Sequence, residues 1–404
     1  MLFIGVDWAE AHHDVCLLDE AGAVLARKRI PDSLAGVRSL HELVGELTDE
    51  PGAVVVGIEK DRGLIVEAML GAGYRVYAIN PLSAARYRER HVTSGSKSDP
   101  GDARMLADLV RTDRHHHREA AGDSERAEAL KVLARAHQSA IWARQREVNA
   151  LRNALKDYYP GALAAFGTDL DDRDAVAILA IAPTPALGRR LSRSRIATAL
   201  ARAGRQRNVE RRAGEIQAAL GDEQLAQRST VEAAYGVTTT AHVAMIRAYN
   251  ARITELEEAL TAGFEQHPDA GIVLSLPGMG TVLGARVLAE FGDDPNRYCT
   301  AQSRRNYAGT SPITRASGKS RVVLARHRRN RRLADALDQW AFCTITRSPG
   351  ARAYYDELRA RDKTHRQAIR QLANRWVGIY HHLLETHTRY DEAIAWKHRE
   401  ALAA

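Results

Sequence analysis

Over the first 110 residues, short apolar runs alternate with stretches of helical period. "LFIGVDWA" (2–9) predicts a strand ending at Asp7, and "HDVCLLDEAGAVLARKRI" (13–30) predicts two strands around an Ala-Gly turn. Residues 33–49 carry helical spacing, and "AVVVGIE" (53–59) predicts a buried, valine-rich strand ending at Glu59. Residues 64–72 again have helical spacing, and "YRVYAINP" (74–81) predicts a strand closed by Pro81. In "GSKSDPGDARMLADL", Ala103, Met105, Leu106 and Leu109 start a helix whose first turn holds Asp99 and Asp102. Strands with helices between them predict an α/β domain with interior strands.

The rhythm then changes. Residues 124–158 and 222–262 each predict one long helix. Within the second, Ile246, Tyr249, Ile253, Leu256 and Leu260 follow a 3-4-3-4 seam, which suits packing against the first helix or against a second chain. The connecting insert, 186–212, is dense in arginine, and Glu210 is its single acid. From Ala270, Gly278 and Gly280 separate two apolar helical stretches, which suits a phosphate-holding helix-hairpin-helix turn or a plain packing unit. The predicted division is an α/β domain over 1–115, an all-α coiled-coil domain over 116–265 and a mostly α domain over 266–404.

Charge sharpens this picture. The 404 residues carry a formal net charge of +8, which points to a polyanion partner. Ser303 to Arg332 holds ten Arg or Lys and no acid. Arg304, Arg305, Arg315, Lys319, Arg321, Arg328, Arg329, Arg331 and Arg332 are its candidate nucleic-acid contacts. No apolar run is long enough for a membrane span, and the N-terminus lacks the basic region of a signal peptide. Three scattered cysteines form neither a disulfide framework nor a zinc site, in keeping with a cytoplasmic protein.

Four acids stand at predicted element ends: Asp7, Glu59, Asp99 and Asp102. Aspartates opening a helix suit capping and the helix dipole. Carboxylates at strand ends and a helix start can also converge, and a pair of divalent cations would offset their repulsion and stabilise a phosphodiester displacement.

"FIGVDWAEAHHDV", "GIEKDRG", "VYAINP" and "SKSDPGDARMLADL" resemble the DEDD motifs of the RuvC-like, Piv-type insertion-sequence transposases. "SLPGMGTVLGARVLAEFGD" with "RRNYAGTSPITRASGKS" resembles that family's second block. The resemblance implies a RuvC/ribonuclease-H-like catalytic domain, a helical coiled-coil domain and a C-terminal transposase domain. It implies Asp7, Glu59, Asp99 and Asp102 as ligands of two Mg²⁺ or Mn²⁺ ions, with Asp61 a minor rival to Glu59. It implies Ser317, in a loop after "AGTSP", as a nucleophile, with Ser320 and Ser311 as weaker candidates. It further implies donor and target DNA, a structured guide (bridge) RNA, a dimer or tetramer, and a nucleoid-associated prokaryotic setting.

Three alternatives stand beside it. A junction resolvase would use the same acids with water and leave Ser317 idle. A non-catalytic RNA- or DNA-binding protein would explain the arginines but not the acids. An actin-like kinase would need a second glycine-rich phosphate loop, which the sequence lacks.

Overall fold

The computed structural model describes residues 1–60, 62–91, 98–120, 122–318, 320–327 and 329–403. The chain forms two compact units, 1–122 and 123–404.

The first unit contains β1 (Leu2–Trp8), β2 (His12–Leu18), β3 (Val24–Pro31), α1 (Leu34–Gly45), β4 (Val54–Ile58), α2 (Leu64–Gly71), β5 (Arg75–Ala78), α3 (Pro81–His91), α4 (Asp99–Asp113) and β6 (Arg118–Glu119). Its sheet runs β3-β2-β1-β4-β5-β6. β1, β4 and β5 are parallel, whereas β2, β3 and β6 pair antiparallel with their neighbours. Each face has its own core. Ile4, Val6, Val56 and Ile58 join Leu40, Val44, Val66 and Met69 of α1 and α2. Phe3, Cys16, Leu18 and Val55 join Ala103, Leu106 and Val110 of α4. β4 buries side chains on both faces, so it reads as a continuous valine run rather than an alternation.

The second unit begins with α5 (Glu125–Tyr158), capped by Ser124. There follow α6 (Pro160–Phe166), α7 (Arg173–Ile181), α8 (Pro185–Arg189), α9 (Arg193–Arg202), α10 (Val209–Gly221) and α11 (Ser229–Glu265). α12 (Ala270–Leu274), α13 (Thr281–Phe291) and α14 (Ala301–Ala308) precede a hairpin of β7 (Ile313–Ser317) and β8 (Ser320–Leu324). α15 (Arg331–Thr344), α16 (Pro349–Ala360), α17 (His365–Thr386) and α18 (Glu392–Ala403) complete it.

α5 and α11 lie antiparallel: Arg126 bonds Gln266 near one end, Arg144 bonds Asn250 midway, and Tyr235 bonds Asp157 near the other. Most of the predicted seam packs within the chain. Ile246, Ile253 and Leu260 are buried within the chain itself, whereas Tyr249 and Leu256 are half-buried. α5 and α11 also carry two cores, one with the insert helices and one with the C-terminal helices. The expected boundary near residue 265 is therefore bridged by shared helices. The Gly278 turn packs on α15, where a Cβ would meet the Cys343 Cβ at 3.0 Å.

Candidate active site

Two glycines place α4 against the sheet. A Cβ on Gly5 would lie 1.8 Å from the Ala103 carbonyl oxygen, and one on Gly57 would lie 2.7 Å from that of Leu106. Only a position without a side chain admits a helix backbone this close. Gly5 and Gly57 are register partners on β1 and β4. Each precedes an acid by two residues: Asp7, inside β1, which strand alternation carries to the α4 side, and Glu59, one residue past the end of β4. α4 runs antiparallel to β1. Its C-terminal Arg114 lies over Phe3, near the start of β1, and its first residue, Asp99, reaches the β2–β3 ladder near the other end.

A charged row crosses three strands there. Asp7 pairs in register with Asp14, and Asp14 with Arg29. Arg29 donates to Asp14 through Nε at 3.2 Å and Nη2 at 2.7 Å, and its Nη2 stands 3.7 Å from Asp99. Buried Asp102 accepts from Arg88 Nε at 2.9 Å. Donor atoms of His12, Asp14 and Asp99 lie within 4.8 Å of one another. Carboxylate oxygens with one imidazole suit a hard divalent cation, so these residues fit the metal that a DEDD domain implies.

Of the four predicted acids, Asp7 and Asp99 stand at one end of the sheet, Asp7 in β1 and Asp99 beside the β2–β3 ladder. Among the described residues, only Asp99 of the four enters a group of three donors that close. Asp102 is engaged by Arg88, and Glu59 is exposed just past β4. Asp61 lies outside the described residues. Sequence reading missed His12 and Asp14. The available signal was an acid at a position where the β2 alternation otherwise places Cys16 and Leu18 in the core.

Ser317 ends β7 and pairs with Ser320, and Gly318 follows with φ +55. Ser317 thus sits at the tip of a hairpin, not in an irregular loop. The pairing puts Ser317, Ser320, Arg315 and Val322 on one face, and Ala316 with Arg321 on the other. Both strands are largely exposed, yet both ends are anchored. Before the hairpin, buried Thr310 bonds Asn374 at 3.0 Å. After it, Asn330 caps α15 by accepting from Arg332 N and Leu333 N, and donates to Glu290 at 2.6 Å. Arg135 holds the same carboxylate at 2.8 Å. Burial opposes ionisation of Glu290, but Arg135 and Asn330 outweigh it and hold its pKa below the ordinary value. Ser311, the weaker candidate, is buried and accepts from Gln302 at 3.0 Å, in contrast to exposed Ser317.

The basic run divides by environment. Arg315, Arg321 and Arg331 are exposed. Arg304 is 6% exposed, lies among Phe291, Tyr298 and Tyr380, and is not a surface contact. Burial lowers its pKa. Half-buried Arg305 donates to the Asn374 carbonyl, and Arg329 lies 3.7 Å from Asp338. Arg332 donates to Arg135 O and Ser139 and lies over Trp142, which ties it to α5. Lys319 and Arg328 lie outside the described residues.

The comparisons with known proteins agree with this layout. Residues 4–160 match the IS110-type DEDD transposase family, and residues 270–356 match the transposase family IS116/IS110/IS902. A Streptomyces coelicolor protein named as a transposase of the IS117 mini-circle is 43% identical over 98% of this chain and 96% of its own length. The chain belongs to the IS110/IS116 family of insertion-sequence transposases. A further relative, the 42 kDa protein of insertion element IS900 from Mycobacterium paratuberculosis, is 29% identical over 97% of this chain and 98% of its own length. The first match of this IS110-family chain covers the charged sheet end, and the second covers Ser317. Among the described residues, no helix is long and apolar enough to cross a membrane.

Proposed function

We propose that this transposase cuts and rejoins the DNA of its insertion sequence through a transient phosphoserine link, using Mg²⁺ held at the charged sheet end. The observation that supports this reading is the seating of α4 on Gly5 and Gly57, two residues before Asp7 and Glu59, with Asp99 of α4 reaching Arg29 beside Asp14, the register partner of Asp7. Oxygen ligands of this kind hold Mg²⁺, or Mn²⁺, which lowers the cost of charge on a phosphate undergoing displacement. Within the chain, Asp99 and Asp102 would release Arg29 and Arg88 as they become ligands.

Ser317 would supply the attacking hydroxyl. Attack by Oγ forms a serine–phosphate bond and breaks the bond to the leaving strand oxygen, which takes a proton. The energy of the phosphodiester is kept, so resealing needs no ATP. Arg315, on the face of Ser317, would offset negative charge on the phosphate. The family resemblance supports a structured guide RNA that pairs with donor and target DNA, and a dimer or tetramer as the active form. The test is cleavage of a supercoiled plasmid carrying the element's ends, with Mg²⁺ or with EDTA. Cleavage lost with EDTA and in Asp7→Asn supports the reading, and cleavage retained in both contradicts it.

A further inference from the structure

The arginine-rich insert is unexplained by the site above, and two sets of arginines in and around it differ in their surroundings. One group is neutralised within the fold. Arg205 and Arg212 converge on buried Asp174, at 2.6 and 3.8 Å. Arg193 pairs with Glu210 at 3.4 Å and Arg211 with Glu215 at 3.3 Å. Arg193, Arg205 and Arg212 tie α7, α9 and α10 to one another, whereas the Arg211 pair lies within α10.

The other group faces a single groove of about 680 Å³ between α7, α9 and α11. Arg195 and Arg202 stand seven residues apart on α9, with Thr198 between them, on the face opposite the buried Ile196 and Leu200. Arg173 opens α7, and Arg247 projects from α11 one turn before Asn250, which also lines the groove. Arg195, Arg202 and Arg247 are exposed and make no ion pair among the described residues. Among the described residues, Arg173 donates to the Gly204 carbonyl, at 2.9 Å, and makes no ion pair. No Asp or Glu lines the groove among the described residues, and its floor is apolar, with Val176 and Ile181. Guanidinium groups left without acids would repel one another unless an anion sits between them. The apolar floor suits the sugar face of a strand whose phosphates meet the rim.

We propose that this groove is a second nucleic-acid site, which grips the sugar–phosphate backbone of a strand by Arg173, Arg195, Arg202 and Arg247. The inference rests on the reading of the chain as a nucleic-acid enzyme, but not on Ser317 chemistry.

The experiment uses full-length protein carrying Ser317→Ala, so binding is read without strand cutting. Two probes of arbitrary sequence, a fluorescein-labelled DNA duplex and an RNA hairpin, are titrated over a range of salt. The variant is R195A/R202A/R247A. The charge-matched control is R359A/R361A/K363A, whose residues are all exposed outside the groove. Each phosphate contact contributes a slope of about −0.9 in log K against log salt on duplex DNA, so the groove variant, which removes three, should be shallower by about 2.7, with affinity down at least about tenfold. Each single substitution should reduce the slope by about one contact, which guards against a folding defect in the triple variant. A loss confined to the RNA hairpin assigns the groove to RNA, a loss confined to the duplex assigns it to DNA, and a loss on both assigns it to backbone generally. Groove and control variants with equal slope and affinity on both probes overturn the proposal. That result would leave the phosphoserine reading standing, and a missing covalent adduct would leave the groove standing.

Discussion

Asp14 faces Asp7 across the β1–β2 ladder and is clamped by Arg29, whose Nη2 also stands 3.7 Å from Asp99 on α4. Asp14 therefore belongs to the carboxylate end of the site, with His12 and Asp99, even though it is not one of the four motif acids. Groups in or beside a metal site typically change affinity or activity by at least about 10–100-fold when removed. Asp14→Asn should slow Mg²⁺-dependent cleavage by that factor and raise the Mg²⁺ concentration for half-maximal rate. A rate and a Mg²⁺ dependence both within twofold of wild type would remove Asp14 from the site.

The seating of α4 predicts an ordered pair of stability effects. Gly5→Ala drives a methyl group into the Ala103 carbonyl at 1.8 Å, whereas Gly57→Ala meets Leu106 O at 2.7 Å. Overpacking of this kind costs about 1–3 kcal/mol, and more where backbone must move. Both substitutions should lower the urea midpoint, Gly5→Ala by the larger amount. Equal midpoints for the two would contradict the close contact.

Much of this arrangement is legible in the chain. The valine run of β4 and the Ser124 cap of α5 mark their elements by local pattern alone. What escaped depends on pairing. β6 has two residues and no periodicity to read, and α3 follows Pro81 where a strand was expected to end. The β7–β8 hairpin hides because its basic, Ser- and Gly-rich sequence lacks a buried face, leaving only "VVL" at 322–324 as a strand signal. Asp14 gains its meaning from register with Asp7, and register is fixed by the whole sheet. The heptad seam was visible, but a seam cannot say which helix covers it.

That seam gives a third prediction. Ile253→Asp buries a charge between α11 and the rest of the same chain. It should lower the melting temperature by several degrees, with a midpoint that does not change with protein concentration. A concentration-dependent midpoint that the substitution abolishes would restore the seam to an intermolecular role.

Acid should loosen the hairpin anchor. Glu290 has a lowered pKa in the folded chain, so the unfolded chain binds its proton first as pH falls. Its contribution is full above the ordinary carboxylate range and is lost as pH drops through the folded value. Glu290→Gln should therefore flatten the fall in urea midpoint between about pH 5 and pH 3. An unchanged profile would show that the ion pair with Arg135 does not stabilise the fold. Asn330→Ala removes the α15 cap and the same anchor, and should cost about 1–2 kcal/mol at neutral pH.

The central claim is that Ser317, at the exposed hairpin tip, becomes linked to DNA in a reaction that needs the acids of the sheet. Its most direct measurement is a denaturing gel of full-length protein incubated with Mg²⁺ and labelled junction DNA from the element's ends. The account predicts a labelled band at the mass of protein plus strand for wild type. That band should be absent in Ser317→Ala and in Asp7→Asn, present in Ser320→Ala, and lost on protease treatment. DNA cut by the wild-type protein with no such band would contradict the account and assign the attack to water.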